Sequence, residues 1–433
     1  MNTTSPQPLL APRPRNIEET GLSFDLIAAL VCKHLYVNGI ADLLQLSETM
    51  ALAGNILEVV ISELRKQSVI NILAPAPFSS GPRYTLTDKG VAEAQAALRK
   101  SGYVGPAPVP LEQYKTVVLA QSTQNHKITS AEFKQAFADT IIDPYLLDQL
   151  GPAMHSGRAI MIYGLAGSGK TYICRRLARV LGEPVLIPHA ISVGESIIQV
   201  YDPALHRRPK ENPTEININL QQGTDPRYIK CQRPVAVSGG ELTQDMLEIH
   251  HDTNTRLSQA PLQLKANNGM YLIDDLGRQR IHPTDLFNRW IVPLEEKHDY
   301  LSLENSKRIQ VPFDVILIFS ANINPLELAD EAFLRRLGYK IRFAPVTQQQ
   351  YIDIWHQYLK ELQLSSDDSL FDSIFERYKR ANRPLLPCQP RDLLGLIKDQ
   401  CEYEGETCVV TQQRFNIAWD TYFINLENAR MVL

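Results

Sequence analysis

The chain has 433 residues, which corresponds to about three average domains of roughly 150 residues each. Its hydrophobic content of 44% and charged content of 21% exclude a largely disordered, collagen-like or coiled-coil protein. With 44 basic and 48 acidic residues the formal charge is -4, which excludes a general attraction to nucleic acid or to anionic membranes.

The first 16 residues contain four prolines and two arginines but no continuous apolar stretch. This composition predicts a disordered arm over 1–16 and not a signal peptide, so we expect a cytoplasmic protein. The longest apolar runs, such as 315–319, are far shorter than the ~18 residues that a membrane span requires. We therefore expect no membrane span.

The cysteines form no pattern that indicates a disulfide framework or a structural zinc site. They include no CxxC pair and have no histidine partner at zinc spacing, so we expect reduced, mostly buried thiols. The adjacent pair His250-His251 cannot share one face of a helix, so no metal site is predicted there either. The six cysteines are Cys32, Cys174, Cys231, Cys388, Cys401 and Cys408.

The N-terminal part combines helical and strand patterns. Three helices followed by a hairpin and a further helix are the order of a winged helix, which we expect over residues 17–102. The predicted helices are 22–39, 40–46, 51–67 and 89–99, and the predicted strands are 69–73 and 83–87. The Pro-rich segment 103–113 predicts an extended linker.

The central and C-terminal parts differ in pattern. Residues 114–344 alternate strand-like and helical runs, which predicts an α/β core with a mostly parallel sheet. Within it, a β-rich insertion is predicted at about 190–268, and it serves either client or pore contacts or a purely structural role. Its candidate strands are 196–201, 215–220 and 228–237. Residues 345–433 predict a helical lid, with helices beginning near 347, 366, 391 and 411.

The sequence around residue 164 contains a complete phosphate-binding loop of the Walker A type. An apolar strand pattern at 159–163 precedes the loop and a helical pattern follows it, which is the setting that this motif requires. Glycines let backbone N–H groups surround phosphates, Lys170 reaches the β and γ oxygens, and the Thr171 hydroxyl holds Mg²⁺. The predicted ATP-binding residues are Gly164, Leu165, Ala166, Gly167, Ser168, Gly169, Lys170, Thr171 and Tyr172.

Two carboxylates follow a second strand pattern. The apolar run 270–273 leads into Asp274-Asp275, the place where a Walker B strand presents its carboxylates. We expect Asp274 to bind Mg²⁺ and Asp275 to orient or activate the attacking water. The second position is more often Glu in P-loop ATPases. The shorter Asp leaves two alternatives open, slow hydrolysis or positioning through an extra water.

A third strand pattern, 315–319, ends just before Asn322. A polar side chain at this strand end can lie between the Walker B carboxylates and the γ-phosphate, and we expect Asn322 in this role in preference to Ser320. The alternative interpretation of Asn322 is a turn residue that ends the strand.

Three arginines follow in the sequence. Arg335 and Arg336 end a predicted short helix, and one of them can enter a neighbouring subunit's site and stabilise charge on the transferred phosphoryl group. Arg391 opens a helix of the lid and can reach back over the phosphates. The alternatives are a salt bridge for the pair and an ordinary first-turn residue for Arg391.

These motifs, in this order, resemble the AAA+ ATPases. The resemblance implies an α/β P-loop AAA+ core with a mostly parallel sheet, a C-terminal helical lid and an N-terminal winged-helix-like domain. Residues 289–296 and the hairpin-like 300–311 are similar to the MoxR and magnesium-chelatase branch. A closer resemblance, over about residues 125–430, is to bacterial predicted ATPases with chaperone activity associated with Flp pilus assembly. It rests on 239–242, 273–280, 288–295 and 390–393.

By this resemblance Asn322 matches the sensor-1 position, Arg336 better than Arg335 matches the arginine finger, and Arg391 matches sensor 2. Asp275 departs from AAA+ proteins at large but fits the Asp-Asp form of the subfamily. The resemblance implies ATP and Mg²⁺ as cofactors and a homo-oligomer, expected to be a hexamer.

Three functional classes remain open. The first is a motor or chaperone that remodels a protein client with ATP. The second is a nucleotide-gated regulator that binds DNA through the winged helix, and the third is a scaffold that binds ATP with scarcely any turnover. DNA is the less expected partner because residues 17–102 carry seven basic and nine acidic side chains.

Overall fold

The structure is a computed structural model of the chain. It describes residues 10–75, 81–125, 127–209, 223–304 and 306–423. Internal contacts divide the chain into two compact units, each discontinuous in sequence. The first comprises Met1–His126, Leu181–Leu272 and Gln279–Leu317, and the second comprises Lys127–Val180, Ile273–Arg278 and Ile318–Leu433.

The α-helices described are α1 (Ile17–Thr20), α2 (Phe24–Asn38), α3 (Leu43–Met50), α4 (Gly54–Lys66), α5 (Asp88–Lys100), α6 (Leu111–Ala120), α7 (Ser130–Ala136), α8 (Pro144–Ser156), α9 (Lys170–Leu177), α10 (Leu262–Lys265), α11 (Pro283–Glu296), α12 (Pro325–Leu328), α13 (Glu331–Arg336), α14 (Gln348–Leu362), α15 (Leu370–Arg380), α16 (Cys388–Glu404) and α17 (Gln412–Tyr422). Short 3-10 helices occupy Ala178–Leu181 and Asp245–Leu247.

The strands described are β1 (Ile40–Asp42), β2 (Ile70–Leu73), β3 (Arg83–Leu86), β4 (Val109–Pro110), β5 (Ile160–Gly164), β6 (Val185–Pro188), β7 (Ala190–Val193), β8 (Ser196–Gln199), β9 (Tyr228–Cys231), β10 (Val235–Ser238), β11 (His250–Asp252), β12 (Leu257–Gln259), β13 (Gly269–Ile273), β14 (His298–Ser302), β15 (Arg308–Pro312), β16 (Val315–Ala321), β17 (Tyr339–Phe343), β18 (Ser365–Ser366) and β19 (Val409–Val410).

The N-terminal part of the first unit packs α2, α3, α4 and α5 against an antiparallel sheet of order β1-β3-β2. The prediction of a helix over 40–46 is wrong at its start, because Ile40–Asp42 form β1 and α3 begins at Leu43. The reason is a capping box: Asp42 Oδ1 accepts from the Gln45 N–H at 2.8 Å, and Gln45 Oε1 accepts from the Asp42 N–H at 3.1 Å.

Two segments predicted to be extended or disordered are packed. Ala11 is buried and Pro12 forms a β-bridge with Thr224, so the described residues of the predicted arm are ordered, while residues 1–9 lie outside the description. Within the predicted linker 103–113, Ala107 and Val109 are fully buried. Val109–Pro110 pair in parallel with β7 as an edge strand, a place where the missing proline donor is tolerated.

The predicted insertion contributes β7, β8, β11 and β12 to a mixed sheet of order β11-β12-β8-β7-β4, and β9 to an antiparallel pair with β6. Strands β4 and β6 lie outside its predicted bounds. The strand predicted at 196–201 is β8. The strand predicted at 228–237 is two strands, β9 and β10, with Arg233-Pro234 just before the second. The strand predicted at 215–220 lies outside the described residues.

A buried ion pair joins the N-terminal part of the first unit to this region. Arg227 and Asp225 are both nearly inaccessible, and the guanidinium approaches the carboxylate at 2.8 to 3.1 Å. Arg227 also donates to the carbonyls of Thr20 and Pro108, at 2.9 and 3.1 Å. These bonds connect chain segments of the first unit that are distant in sequence. Removal of either partner of the ion pair would leave an unpaired buried charge.

The site residues follow strands of a sheet whose order is β10-β13-β16-β5-β17. The pairings of β5 with β16 and with β17 are parallel, with Ala321 opposite Tyr163 and Phe343 opposite Gly164. The predicted α/β P-loop core is thereby confirmed. The hairpin-like segment near 300–311 is the antiparallel pair β14 and β15.

The predicted C-terminal helical region is also confirmed. Four helices, α14 to α17, enclose an aromatic core that includes Tyr351, Trp355, Phe415 and Trp419. The side chains of Thr347 and Thr411 cap α14 and α17. The second helix begins at Leu370 and the third at Cys388, so Arg391 lies in the first turn of α16 rather than at its first residue.

The described residues contain six free thiols, of which four are buried, and no cluster that could hold a metal ion through His, Cys, Asp and Glu. No single described helix is long and apolar enough to span a membrane. One bent pair, α3 with α4 at 114°, meets the length and composition criteria together.

Candidate functional site

The phosphate-binding loop connects β5 to α9 in the second unit. Its backbone needs glycine: φ is 155° at Gly164 and 83° at Gly167. A Cβ at Gly164 would lie 2.3 Å from the Phe343 carbonyl oxygen, and one at Gly167 would lie 2.5 Å from Cys388 Sγ. The pattern of glycines therefore follows from close approach of the loop to β17 and α16 as well as from its dihedral angles.

Lys170, the first residue of α9, points back into the loop. Its side chain is only 6% exposed, and Nζ donates at 2.8 Å each to the carbonyls of Gly164 and Leu165 and to Asn322 Oδ1. Burial lowers the pKa of Lys170, whereas the nearby carboxylates of Asp274 and Asp275 act in the opposite direction. A charged ammonium held by three neutral oxygens is prepared to exchange them for phosphate oxygens.

The predicted metal-binding residues meet. Thr171 Oγ1 donates to Asp274 Oδ2 at 2.7 Å, which brings a hydroxyl from α9 beside a carboxylate from the end of β13. Both groups supply oxygen, the ligand that Mg²⁺ prefers, and the two oxygens belong to neighbouring elements of one wall. The donor set therefore fits Mg²⁺.

Asp275 and Asn322 are also brought together. The Asn322 side chain donates from Nδ2 to Asp275 Oδ1 at 2.5 Å and accepts from Lys170 through its Oδ1. Ser320, which precedes it in β16, has a fully buried hydroxyl with no hydrogen-bond partner among the described residues. Asn322 is thus the polar side chain that links the lysine to the carboxylates.

The three predicted arginines differ in position. Arg391 lines the cavity above the loop and donates to Asp392 Oδ1 at 2.9 and 3.0 Å, and these hydrogen bonds raise its pKa. Arg335 and Arg336, at the end of α13, are not among the residues that line this cavity. Arg335 is largely exposed beside Glu331 at 3.8 Å, and Arg336 donates to the Ala332 carbonyl at 2.9 Å.

The cavity has a volume of about 950 Å³, within the ~300–1,000 Å³ range of small-molecule sites. The loop residues Ala166 to Tyr172 line one wall together with Asp274, Asp275 and Asn322. All of these residues belong to the second unit.

Sequence reasoning missed two groups of lining residues. One is an apolar and aromatic wall, which suits a flat base: Ile141, Ile142, Tyr145, Leu146, Val346, Ile354 and Tyr358. The other is a set of cations: Arg175, Arg278, Lys340 and Arg342. The wall residues carry no local pattern that points to a ligand, because separate segments bring them together. Arg278 did carry a signal, its place three residues after Asp275.

Comparisons with known proteins give few constraints. No curated protein matches the chain. A protein-family model described as a domain of unknown function, DUF8689, matches residues 347–421, which cover α14 to α16 and all but the last residue of α17. The match covers far less than half of the chain, so it marks the helical region as similar to that domain and assigns no family to the whole chain.

Among solved structures, NtrX from Brucella abortus in complex with ADP has a TM-score of 0.38 at 13% identity and covers 72% of this chain. This chain spans 62% of that structure, less than two thirds of its length. A second NtrX structure has a TM-score of 0.43 at 12% identity, with coverage of 80% of this chain and 71% of the other. The Holliday junction branch migration motor RuvB of Thermotoga maritima has a TM-score of 0.36 at 12% identity, with coverage of 73% and 72%.

Proposed function

We propose that the protein is an ATPase of the AAA+ type. The observation that carries the proposal is one set of contacts in the second unit: Lys170 to Asn322, Asn322 to Asp275, and Thr171 to Asp274. It joins the phosphate-binding loop to the ends of β13 and β16 on the wall of a nucleotide-sized cavity. These are the groups that phosphoryl transfer to water requires.

Each residue has a defined part in the mechanism. Lys170 binds the β and γ oxygens, in place of the carbonyls that it now contacts. Thr171 and Asp274 would hold Mg²⁺, which when bound neutralises charge on the phosphates. Asp275 orients the attacking water and accepts its proton, and Asn322 holds the Asp275 carboxylate in place.

The apolar and aromatic residues of the cavity are suited to bind the base of the nucleotide. Tyr358, Ile354 and Val346, from the helical region and its entry, border the same cavity as the loop. A base between these side chains would contact the helical region while its phosphates contact the loop. Nucleotide state would then change the contacts between α14, α16 and the loop, which is how we infer that hydrolysis drives motion.

We further propose that the protein acts as a homo-oligomer, a hexamer, and that it remodels a protein client in the cytoplasm. The sequence resemblance suggests pilus or secretion assembly as the process in which it acts. The position of Arg335 and Arg336 supports an oligomer. Neither residue is among those that line the cavity of its own subunit, as is expected of a finger that acts in a neighbour's site. The N-terminal winged-helix-like region and the β-rich insertion are the proposed client-binding parts.

The ATPase proposal is tested with the full chain by nucleotide binding and phosphate release. Lys170→Ala should abolish ATP binding, and Asp275→Asn should keep binding while lowering turnover. Lys379→Ala and Asp372→Asn, on the exposed surface of α15, are the matched controls and should behave like the unaltered chain. Tight ATP binding by Lys170→Ala would refute the assignment.

The remodelling proposal needs a second experiment. Asp275→Asn with ATP should hold nucleotide and client together, whereas Lys170→Ala should not. A protein recovered with the first variant and absent with the second, and released on ATP removal, is the expected result. Equal recovery with both variants would contradict nucleotide-dependent client binding.

A further inference from the structure

Arg278 occupies a turn directly after the Walker B carboxylates. Asp275 has a left-handed φ of 52° and Gly277 a φ of 98°, and the Arg278 N–H donates to the Asp275 carbonyl at 3.0 Å. A further bond, from the Leu276 N–H to the Ser320 carbonyl at 2.7 Å, fastens the turn to β16. Arg278 and Asp275, which this turn connects, both line the cavity.

Its guanidinium, like those of Arg175 and Arg342 in the same cavity, differs from that of Arg391 in making no ion pair with the described residues. Arg391 is bonded to Asp392 and Arg176 to Asp139, so part of their charge is already compensated. Within the described part of the chain, the Arg278 guanidinium makes no hydrogen bond or ion pair. A permanently charged guanidinium that lines a cavity and makes no ion pair with a described carboxylate is suited to bind an anionic ligand.

The excess negative charge of the nucleotide-bound site favours a further cation such as Arg278. A nucleoside triphosphate with its Mg²⁺ carries a net charge of about -2, and Asp274 and Asp275 add two negative charges. Lys170 and Arg391 offset two of these four charges, and Asp392 already shares Arg391. The remaining cations that line the cavity are Arg175, Arg278, Lys340 and Arg342, and of these Arg278 directly follows the Walker B turn. A further cation in the lining of the cavity reduces this excess of negative charge while charge remains on the transferred phosphoryl group.

We propose that Arg278 is a catalytic residue whose guanidinium binds the γ-phosphate of the nucleotide held in its own subunit. The inference rests on the proposed ATPase function. Arg175 and Arg342 line the cavity too, but they belong to α9 and β17, whereas Arg278 alone of the three is bonded through its backbone to Asp275. This bond makes Arg278 part of the same turn as Asp275, the carboxylate proposed to act on water.

The test compares two probes on the full chain with Mg²⁺: β,γ-imido-ATP, which keeps the γ-phosphate, and ADP, which lacks it. Arg278→Ala should weaken binding of the imido compound about 10- to 100-fold, as expected for a charge-assisted hydrogen bond, and change ADP binding less than about twofold. Arg278→Lys should recover part of the loss. The size of the effect should not depend on subunit concentration, because the contact lies within one subunit.

Arg280→Ala is the matched control, since Arg280 is exposed, lies two residues further on and does not line the cavity. It should bind both probes like the unaltered chain. If Arg278→Ala does not fold, Arg278→Gln gives the same comparison with a neutral polar side chain. Equal losses for both probes, or no loss for either, would overturn the role of Arg278. Failure of the unaltered chain to bind either probe would instead refute the proposed function.

Discussion

The side-chain amide of Asn322 donates to Asp275 Oδ1 at 2.5 Å. This contact joins the end of β16 to the end of β13, and the other atom of the same amide accepts from the buried Lys170. One side chain therefore orients both the phosphate-binding cation and the carboxylate proposed to act on water.

Asn322→Ala should lower ATP turnover by on the order of 10²-fold while ATP binding is largely kept, because Asp275 loses its orienting donor and Lys170 retains its other oxygens. Steady-state phosphate release and ATP binding measure the two effects. Ser320→Ala is the control. Its hydroxyl is buried without a described partner, so its removal should leave turnover near that of the unaltered chain.

Gly164→Ala should destabilise the second unit by about 1–3 kcal/mol and prevent nucleotide binding, because the new Cβ would lie 2.3 Å from the Phe343 carbonyl oxygen at a φ of 155°. Chemical unfolding measures the change. Gly395→Ala, inside α16 with open space around the position, should have the opposite sign and stabilise by up to about 1 kcal/mol. Loss of stability in both variants would contradict the reason given.

Arg336→Ala should lower hydrolysis by about 10³-fold or more with ATP binding intact, if the residue acts as a finger in a neighbour's site. A mixture of two inactive variants gives the sharper result. Lys170→Ala supplies a finger but no site, and Arg336→Ala supplies a site but no finger, so mixing them should restore part of the activity. If mixing restores no activity, the finger is not supplied between subunits. A larger loss of hydrolysis with Arg335→Ala than with Arg336→Ala would assign the finger to Arg335.

The full chain should show no salt-sensitive binding to duplex DNA at micromolar concentration. Helix α4, the candidate recognition helix, carries the exposed Glu58 and the half-buried Glu63, and Lys66 is paired with Glu63 at 3.1 Å. Arg83 in the hairpin already donates to the Ala74 carbonyl at 3.0 Å. Binding titrations over a range of salt check this. A log-log slope of several units would favour the DNA-regulator alternative.

Stability should fall as the pH decreases from 6.5 towards 4, in part through His189. Burial first, and then the charge of Arg208, lower the pKa of His189 to about 4. Between this value and the unfolded value of 6.5 the unfolded chain binds a proton that the folded chain does not, so stability decreases with falling pH. Urea unfolding of His189→Asn should show a weaker pH dependence over this interval. An identical dependence would show that His189 is not responsible.

The sequence by itself determined the parts of the site that are local. The loop from Gly164 to Thr171 needs positive φ angles, a lysine and a hydroxyl at set spacing, and its strand and helix are adjacent in the chain, so pattern alone located it. The ends of β13 and β16 were likewise predicted as carriers of Asp274, Asp275 and Asn322, since apolar runs that end in polar residues indicate buried strands.

Only the tertiary structure decided the rest. The predicted linker became a packed segment because Ala107 and Val109 find buried partners that are distant in sequence. The apolar wall of the cavity combines residues near 141 with residues near 354, and no pattern in a single segment encodes that meeting. The sequence shows the charge of Arg278, but the turn that carries it is held by the bond from Leu276 to the Ser320 carbonyl, which forms only when the ends of β13 and β16 are folded together.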